Sequence, residues 1–302
     1  MIIKVLGSAA GGGFPQANCN CRNCADVRRG APGLASRTQS SLAVSRDGET
    51  WVLLNASPDL RQQIAIPELA PRPHGAPRSS PIAAVVLTNG DVDHVAGLLS
   101  LREGFAFNLY ASARVLAALA ANVIFDVLDP RYVSRQTLPL GEAVPIAGGL
   151  VVETFPVPGK VALYLEQARP DFGTREGDSI GLEIRDPATS AAFHYVPGCA
   201  AVDGALAKRL QGSSLVLFDG TLYTDDEMIA QNLSDKTGAR MGHISMSGPD
   251  GSLAAFRTLD VKRRIYVHIN NSNPVLRADG PERADVERAG WEIAFDGMEI
   301  RL

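Results

Sequence analysis

Short apolar runs rich in valine, isoleucine and leucine recur along the chain, separated by segments in which apolar residues return every third or fourth position. The first pattern is typical of buried strands and the second of amphipathic helices. The apolar runs predict strands at 2–6, 40–44, 51–55, 83–87, 109–110, 151–155, 180–184, 192–196, 215–219, 264–269 and 291–294. The second pattern predicts helices at 58–66, 94–101, 112–121, 203–210, 224–229, 249–259 and 281–289.

Strands that alternate with helices predict an α/β fold. Several predicted strands end in aspartate, asparagine or histidine, and ligands of open α/β sheets bind beyond such strand ends. The proline-rich stretch 67–81 lies between a predicted helix and a predicted strand, which indicates a surface excursion and not a boundary between two cores. We therefore expect a single domain over residues 1–302.

The composition excludes some classes of function. The chain has 302 residues, of which 45% are hydrophobic and 21% are charged, with a net charge of -4. These values are ordinary for a soluble globular protein, and no lysine- and arginine-rich stripe indicates a nucleic-acid partner. No apolar segment is long enough to span a membrane, and no charged leader precedes the first strand, so we expect a cytoplasmic protein.

The segment Thr88–Leu98 carries the most specific signal in the chain. It resembles the metal motif T-H-x-H-x-D-H-x-x-G-L of the metallo-β-lactamase fold, with Asn89 and Asp91 in place of the first two histidines. Asp93 and His94 keep their positions and are expected to be metal ligands, although an isolated aspartate at a helix start is often only a cap. The resemblance implies a metallo-β-lactamase αββα sandwich. Asn89 and Asp91 become candidate substrate contacts.

Two further histidines are candidates for the same site. His268 lies near the end of a predicted strand, where the metallo-β-lactamase family has its last histidine ligand, and we expect it to bind the metal. A lone histidine at a strand end is otherwise more often a satisfied polar residue. His243 lies in a predicted loop before the helix at 249–259. It is a candidate third imidazole, a catalytic acid or base, or a substrate contact, and simple loop packing is the alternative.

The remaining ligand positions of the binuclear hydrolases are occupied here by Lys160 and Gly198. A lysine cannot bridge two cations and a glycine offers no side chain, so we expect no more than one ion in the active site. Two imidazoles and one carboxylate match the triad of mononuclear non-haem Fe(II) oxygenases, but three ligands plus water suit a catalytic zinc equally well. Ligand type alone does not choose among Fe(II), Zn and Mn.

A second candidate metal site lies in the Cys-rich loop 18–24. Cys19, Cys21 and Cys24 are spaced C-x-C-x-x-C, and thiolates this close repel one another unless a soft cation such as zinc neutralises them. The alternative is that the three cysteines are reduced thiols that bind no metal. The fourth ligand is open: Cys199, a water, or Asn271, which matches the position where related phosphodiesterases of the fold carry a histidine.

Two other features give less specific predictions. Asp219 ends an apolar strand and precedes an acidic run, which favours a turn and a helix cap, with a substrate contact as the functional alternative. The glycine-rich stretch 7–16 lacks the Lys-Ser/Thr of a nucleotide-binding P-loop and indicates a turn that lines the pocket.

Several segments together resemble one family, the pyrroloquinoline quinone (PQQ) biosynthesis B proteins. They are 4–16, 18–21, 87–94, 218–221, 242–244 and 268–274. The resemblance implies a role in PQQ biosynthesis. That family was long assigned to carrying PQQ or a precursor toward the periplasm, and it is also associated with iron-dependent hydroxylation of a tyrosine-derived ring in the PQQ precursor.

The hydroxylation that the resemblance implies would add oxygen to carbon. Zinc has no redox chemistry, whereas Fe(II) with open positions can activate O₂, so we interpret the chain as an Fe(II)- and O₂-dependent oxygenase with a structural zinc. Lys160 is then a candidate partner for a carboxylate of the precursor. The alternatives are a carrier of PQQ or its precursor and, disfavoured by the missing ligands, a residual metallohydrolase. Other PQQ-pathway proteins and a second copy of the chain are the expected protein partners.

Overall fold

Two β-sheets packed face to face form the centre of the molecule, as seen in a computed structural model that describes residues 1–73, 75–166 and 176–302. In this part of the chain the strands are β1 Ile2–Gly7, β2 Ser41–Ser45, β3 Trp51–Leu54, β4 Ile82–Val86, β5 Phe107–Ala111, β6 Val133–Thr137, β7 Ala143–Pro145, β8 Val151–Pro156, β9 Ile180–Arg185, β10 Ala192–Val196, β11 Val216–Asp219, β12 Arg264–Val267, β13 Trp291–Ile293 and β14 Glu299–Arg301. The α-helices are α1 Arg22–Arg28, α2 Leu60–Gln63, α3 Val92–Val95, α4 Ala113–Ala120, α5 Gly204–Leu210, α6 Glu227–Ala230, α7 Gly238–Met241, α8 Ser252–Ala255 and α9 Pro281–Arg288.

The order of the strands brings the polar strand ends to one edge. The first sheet has the order β14-β1-β2-β3-β4-β5-β6 and the second β13-β12-β11-β10-β9-β8-β7. Strands β3 to β6 run parallel in the first sheet, as do β10 to β13 in the second. Because parallel strands end at the same edge, the segments that follow β4, β10, β11 and β12 can meet there.

Three apolar layers hold this arrangement together. Between the sheets lie residues such as Leu54, Val86 and Val267, all fully buried. One outer layer packs helices on the first sheet. The other packs them on the second sheet through contacts such as that of Phe256, which directly follows α8, with Trp291 of β13, their ring centroids 4.8 Å apart. Burying one large apolar side chain stabilises the fold by roughly 1.5–3 kcal/mol. The predicted αββα sandwich is therefore confirmed.

The differences from the predicted elements occur at edges and near the sites. The strands β6, β7 and β14 were not predicted, because all three lie at sheet edges and carry polar or short sequences. The helix predicted at 94–101 is a turn of α-helix, Val92–Val95, followed by the 3₁₀ segment Ala96–Leu101.

The helices predicted at 58–66, 224–229 and 249–259 are shorter or shifted, whereas those at 112–121, 203–210 and 281–289 match α4, α5 and α9 to within a residue at each end. Most residues of the stretch 67–81 are exposed, apart from residue 74, which lies outside the described residues. No helix in the described part of the chain has both the length and the apolar character needed to cross a membrane.

Candidate metal centre

The position of His94 follows from a close contact behind α3. The backbone N–H of Ala56 donates to the carbonyl of His94 at 2.7 Å, and the N–H of Gly97 donates to the carbonyl of Ala56 at 2.9 Å. A Cβ atom on Gly97 would lie 2.0 Å from the carbonyl oxygen of Ser57, so only glycine allows this approach. The Gly-Leu pair at the end of the motif therefore fixes α3 against the chain that leaves β3.

The imidazole of His94 is oriented by Asn89. Nδ1–H of His94 donates to Oδ1 of Asn89 at 2.7 Å, and that oxygen also accepts the backbone N–H of Asp91 at 3.0 Å. Burial lowers the pKa of His94 to about 4, so the ring is neutral near pH 7. Its Nε2 is buried and has no hydrogen-bond partner among the described residues. A buried lone pair without a donor fits the role of a metal ligand.

Asp93 and His268 face one another across the same space. Oδ2 of Asp93 lies 2.9 Å from Nε2 of His268 and 3.9 Å from Nε2 of His94. Burial opposes ionisation of Asp93, but His94 and the hydrogen bond with His268 together hold its pKa below the usual range. His268 has φ +57°, a left-handed backbone conformation that is uncommon for a residue with a side chain. Such a conformation at this position agrees with a functional constraint.

Thr221, which the sequence analysis missed, fixes the ring of His268. Its hydroxyl donates to Oδ1 of Asp219 at 2.6 Å, so it accepts from Nδ1–H of His268 at 2.8 Å. Nε2 of His268 then lies 2.9 Å from Oδ2 of Asp93, a distance that either a shared proton or a shared metal ion can bridge.

The predicted metal ligands are therefore brought together. One donor atom from each of Asp93, His94 and His268 lies within 4.8 Å of the others. The unpartnered Nε2 of His94 and the facing acceptors of Asp93 and His268 fit one metal ion. The oxygen of Asn89 is engaged by His94, and the expected role of Asn89 as a substrate contact stays a prediction.

His243 and Asp219 form a hydrogen-bonded pair beside this set. Nδ1–H of His243 donates to Oδ2 of Asp219 at 2.7 Å, and the ring of His243 stacks on that of His268 with centroids 5.2 Å apart. Burial alone would lower the pKa of His243, but Asp219, followed by Asp91 and Asp93, raises it above its ordinary value. His243 is thus close enough to act on a ligand of the metal centre.

Asp219 uses both carboxylate oxygens in contacts with the protein itself. It is fully buried, and its Oδ2 also accepts the N–H of Cys199 at 2.9 Å while Oδ1 accepts from Thr221. Asp219 therefore orients His243 in this structure, and its candidate role as a substrate contact stays a prediction. A strand-end aspartate gives no sequence signal that distinguishes these two roles.

Asp219, His243 and His268 also lie close enough to share an ion. However, Thr221 occupies the space between them, since its hydroxyl lies 3.0 Å from Nδ1 of His243 and 2.8 Å from Nδ1 of His268. A second ion would have to displace this hydroxyl and break its bond to Asp219. The geometry thus favours a hydrogen-bond cluster over a second metal site.

Lys160 lies beside the metal centre, not within it. Its Nζ donates to Oε1 of Glu166 at 3.1 Å, and Nη2 of Arg240 donates to Oε2 of the same carboxylate at 2.9 Å. A Cβ atom on Gly242 would lie 2.9 Å from Cγ of Lys160, which places this ion cluster next to His243. The hydrogen bonds with Arg240 and then Lys160 lower the pKa of Glu166 to about 2, against the opposing effect of its burial.

Asp91 also lies beside the metal centre. It is half-buried, and its Oδ1 accepts the N–H of Leu163 at 3.4 Å. Burial, followed by the charge of Asp93, raises the pKa of Asp91. Gly198 faces the same space, since a Cβ atom there would lie 3.7 Å from Cε1 of His243.

The three cysteines form the second cluster, and only part of it is a loop. Cys24 lies in α1 and Cys21 caps its first turn, which corrects the expected loop at 18–24. The thiols lie within 4.8 Å of one another. Burial raises the pKa of Cys21 to about 11, whereas that of Cys19 is lowered despite its burial, because its sulfur accepts the N–H of Cys21. Ionising all three thiols together needs a cation.

Asn271 completes this cluster. Its Nδ2 lies 3.1, 3.6 and 3.3 Å from the sulfurs of Cys19, Cys21 and Cys24, while its buried Oδ1 has no partner in the described part of the chain. The two ends of an amide are assigned from their hydrogen bonds, and the reverse assignment would turn the oxygen toward the sulfurs as a fourth ligand. Cys199 is not part of this cluster, since its thiol donates to the carbonyl of Ala201 at 3.1 Å.

Comparisons with known proteins agree with this architecture. The family model described as the beta-lactamase superfamily domain matches residues 50–269. "Coenzyme PQQ synthesis protein B" of Rhizobium meliloti is 53% identical over 300 residues, covering 99% of this chain and 97% of that protein. The protein of the same name from Xanthomonas euvesicatoria is 52% identical, with all of both chains covered.

Solved structures place the chain in the same group. The crystal structure of Zn(2+)-bound PqqB from Methylobacterium extorquens is 50% identical, covers 100% of both chains and superposes with a TM-score of 0.96. A diphosphatase of the PhnP family has a TM-score of 0.69 at 20% identity over 100% of this chain and 97% of its own, which shows a shared fold alone. The chain therefore belongs to the coenzyme PQQ synthesis protein B family of the beta-lactamase superfamily.

Proposed function

We propose that this chain is an enzyme of PQQ synthesis that uses one Fe(II) ion and O₂ to hydroxylate the tyrosine-derived ring of a PQQ precursor. The observation that carries the proposal is the set of three ligand atoms from Asp93, His94 and His268, two imidazoles and one carboxylate, which lie within 4.8 Å of one another. Of these atoms, Nε2 of His94 is buried and has no hydrogen-bond partner among the described residues. The names of the relatives support the pathway, and the ligand set supports the chemistry.

The choice of metal rests on what the reaction needs. Adding a hydroxyl group to an aromatic ring consumes O₂, two electrons and two protons, and it releases one water. Zinc cannot change its oxidation state, whereas Fe(II) bound by two histidines and one carboxylate supplies O₂ activation at its open positions. The two electrons would come from a small reductant of the thiol or enediol class. Zinc, which the relative from M. extorquens binds, fits the cysteine cluster by ligand type.

The chain's own residues would prepare this site in two ways. Asn89 and Thr221 hold Nδ1–H of His94 and His268, so that Nε2 of each ring faces the metal position. A hydrogen bond from the second ring nitrogen fixes the orientation of a ligand histidine and strengthens it as a donor. The buried pair of sheets around these residues limits access of water to the reacting atoms.

His243 would move the proton of the ring hydroxyl. Asp219 accepts Nδ1–H of His243 and leaves Nε2 for the substrate. An imidazole with an orienting carboxylate can take up or release a proton near neutral pH. Lys160 and Arg240, which already hold the carboxylate of Glu166, lie in a position to bind a carboxylate of the precursor in its place.

The proposal is tested by metal dependence. The protein would be reconstituted anaerobically with one equivalent of Fe(II) or of Zn(II) at the active site, mixed with the precursor and a thiol reductant, and then exposed to O₂. Mass spectrometry should show a product 16 mass units heavier, one oxygen atom, with Fe(II) only. Equal product with Zn(II) and Fe(II), or none with either, would overturn it.

The carrier alternative makes a different prediction for the same samples. Lys160 and Gly198 stand at two ligand positions of the hydrolases and supply no metal ligand, and the cationic pair of Lys160 and Arg240 can hold a carboxylate without any ion. A carrier should bind one equivalent of precursor with equal affinity in the presence and absence of iron, and it should leave the precursor unchanged.

A further inference from the structure

The two candidate metal sites, the cysteine cluster and the set of Asp93, His94 and His268, lie on opposite sides of one short loop. The loop runs from His268, a predicted active-site ligand, to Asn273, and it includes Asn271, whose amide touches the three thiols. Its first residue has the left-handed φ of +57°. Whatever fixes this loop therefore also fixes the direction of the His268 ring.

Asn23, which lies between two of the cysteines, clamps this loop. Its Nδ2 donates to three consecutive carbonyls, those of Asn271 at 3.2 Å, Ser272 at 3.2 Å and Asn273 at 2.9 Å. Asn23 is only 5% exposed, and its Oδ1 accepts from Nη1 of Arg277 at 3.3 Å. Both ends of the amide are thus used, which fixes the side chain in one orientation.

The other end of the loop returns to the active site. Nδ2 of Asn273 donates to the carbonyls of Gly220 at 3.0 Å and Thr221 at 3.2 Å, and the N–H of Asn270 donates to the carbonyl of Thr221 at 3.0 Å. Thr221 in turn accepts Nδ1–H of His268. Hydrogen bonds therefore run from Asn23, which shares helix α1 with Cys24, through the loop to Thr221 and the ring of His268.

We propose that Asn23 is a positioning residue that couples the two clusters, so that a filled cysteine site strengthens metal binding at the active site. The inference rests on the metal centre of the proposed function, but not on its reaction. Helix α1 is short and carries both Asn23 and Cys24, and a cation shared by the thiols would fix its first turn. Coupling between two binding sites is reciprocal, so the active-site metal should also favour the filled cysteine site.

The test compares Asn23→Asp with Asn20→Asp. The first variant removes the donor that holds three carbonyls, and the second adds the same charge at an exposed position between Cys19 and Cys21. With one zinc bound at the cysteines, titration with Co(II) would report the Kd of the histidine–carboxylate site by its absorption, without substrate or O₂. Asn23→Asp should weaken Co(II) binding about 10- to 100-fold, as other residues behind a ligand do.

Several outcomes decide the proposal. Asn20→Asp should bind Co(II) like the unaltered protein, and both variants should keep one zinc per chain. An unchanged Kd in folded Asn23→Asp would overturn the coupling. If both variants lost the same Co(II) affinity, the added charge would explain the loss, and this result would also overturn the coupling.

Asn23→Ser, which removes the amide without adding charge, serves as a second variant. If neither variant folds, amide hydrogen exchange of residues 268–273 in the unaltered protein provides the test. Zinc at the cysteines should slow that exchange, and equal exchange with and without zinc would contradict the coupling. None of these measurements uses turnover. Refuting the oxygenase hypothesis would therefore leave the coupling intact, and refuting the coupling would leave the oxygenase hypothesis intact.

Discussion

Oδ1 of Asn89 accepts a hydrogen bond from Nδ1 of His94 at 2.7 Å. In the motif that the segment resembles, a histidine occupies the position of Asn89 and binds metal. Here the replacement residue instead orients the next ligand, so the substitution changes a metal ligand into a residue that supports one. We therefore interpret the altered motif as a rebuilt metal site and not a decayed one.

This relationship predicts the effect of removing the acceptor. Asn89→Leu should weaken metal binding at the active site about 10- to 100-fold, because the His94 ring loses the bond that sets its orientation. Asn89→Asp keeps an acceptor at the same distance and is the matched control. Titration of the metal-free proteins with Co(II) would measure both Kd values. Equal affinity of Asn89→Leu and Asn89→Asp would contradict the orienting role.

The cysteine cluster should hold one structural zinc. Cys21→Ser should contain about one zinc fewer per chain and should unfold at a lower temperature, because metal binding contributes to folding free energy. Cys199→Ser is the control, since Cys199 is buried outside the cluster. Elemental analysis and thermal unfolding would measure both effects. Unchanged zinc content in Cys21→Ser would refute the assignment.

The active site should hold at most one ion. Thr221 fills the space that a second ion would need between His243 and His268, and Lys160 and Gly198 supply no bridging ligand. Anomalous scattering from crystals soaked in excess metal should show one active-site peak. Two peaks roughly 3.5–4 Å apart, the spacing of binuclear hydrolases, would show this prediction to be wrong.

His194 should make stability depend on pH at some distance from these sites. Burial, followed by the charge of Arg209, lowers its pKa from 6.5 to about 4, although Glu153 opposes the shift. Between these two values the unfolded chain binds more protons at this position than the native protein. The free energy of unfolding should therefore fall as the pH decreases from 6.5 to 4, with a slope of up to about 1 kcal/mol per pH unit from this residue.

His194→Gln checks the assignment. In this variant the free energy of unfolding should depend less steeply on pH, as measured by urea unfolding at several pH values between 4 and 7. The same slope in both proteins would assign the pH dependence to other groups. Nδ1–H of His194 donates to Oγ of Ser213 at 3.0 Å. The variant alters this bond, so we also expect a moderate loss of stability that does not depend on pH.

The central strands and the main ligands could be predicted from the sequence, because their patterns are local. Strands such as β4 and β12 are continuous apolar runs, and Asp93 and His94 keep their motif positions. The edge strand β6 could not be predicted from the sequence, because one of its sides faces no other strand and its sequence is mostly polar.

Contacts between distant segments were not predictable. Thr221 lies 47 positions from His268, and Asn23 lies 248 from Asn271, so no spacing rule connects them. For Asp219 the sequence favoured a turn and a cap with a substrate contact as the alternative, because a polar residue at a strand end can point either into the site or behind it. Which direction it takes depends on Thr221 and Cys199, two neighbours that become visible only in the folded chain.

Incorporation of ¹⁸O from ¹⁸O₂ into the precursor, followed by mass spectrometry, tests the central claim most directly. The Fe(II)-loaded protein should insert one labelled atom, and His268→Ala should lose both the iron and the insertion. His243→Ala should keep the iron and react about 10²-fold more slowly, the scale of one acid–base group. Labelled product from His268→Ala at the rate of the unaltered protein would contradict the oxygenase account and favour the carrier.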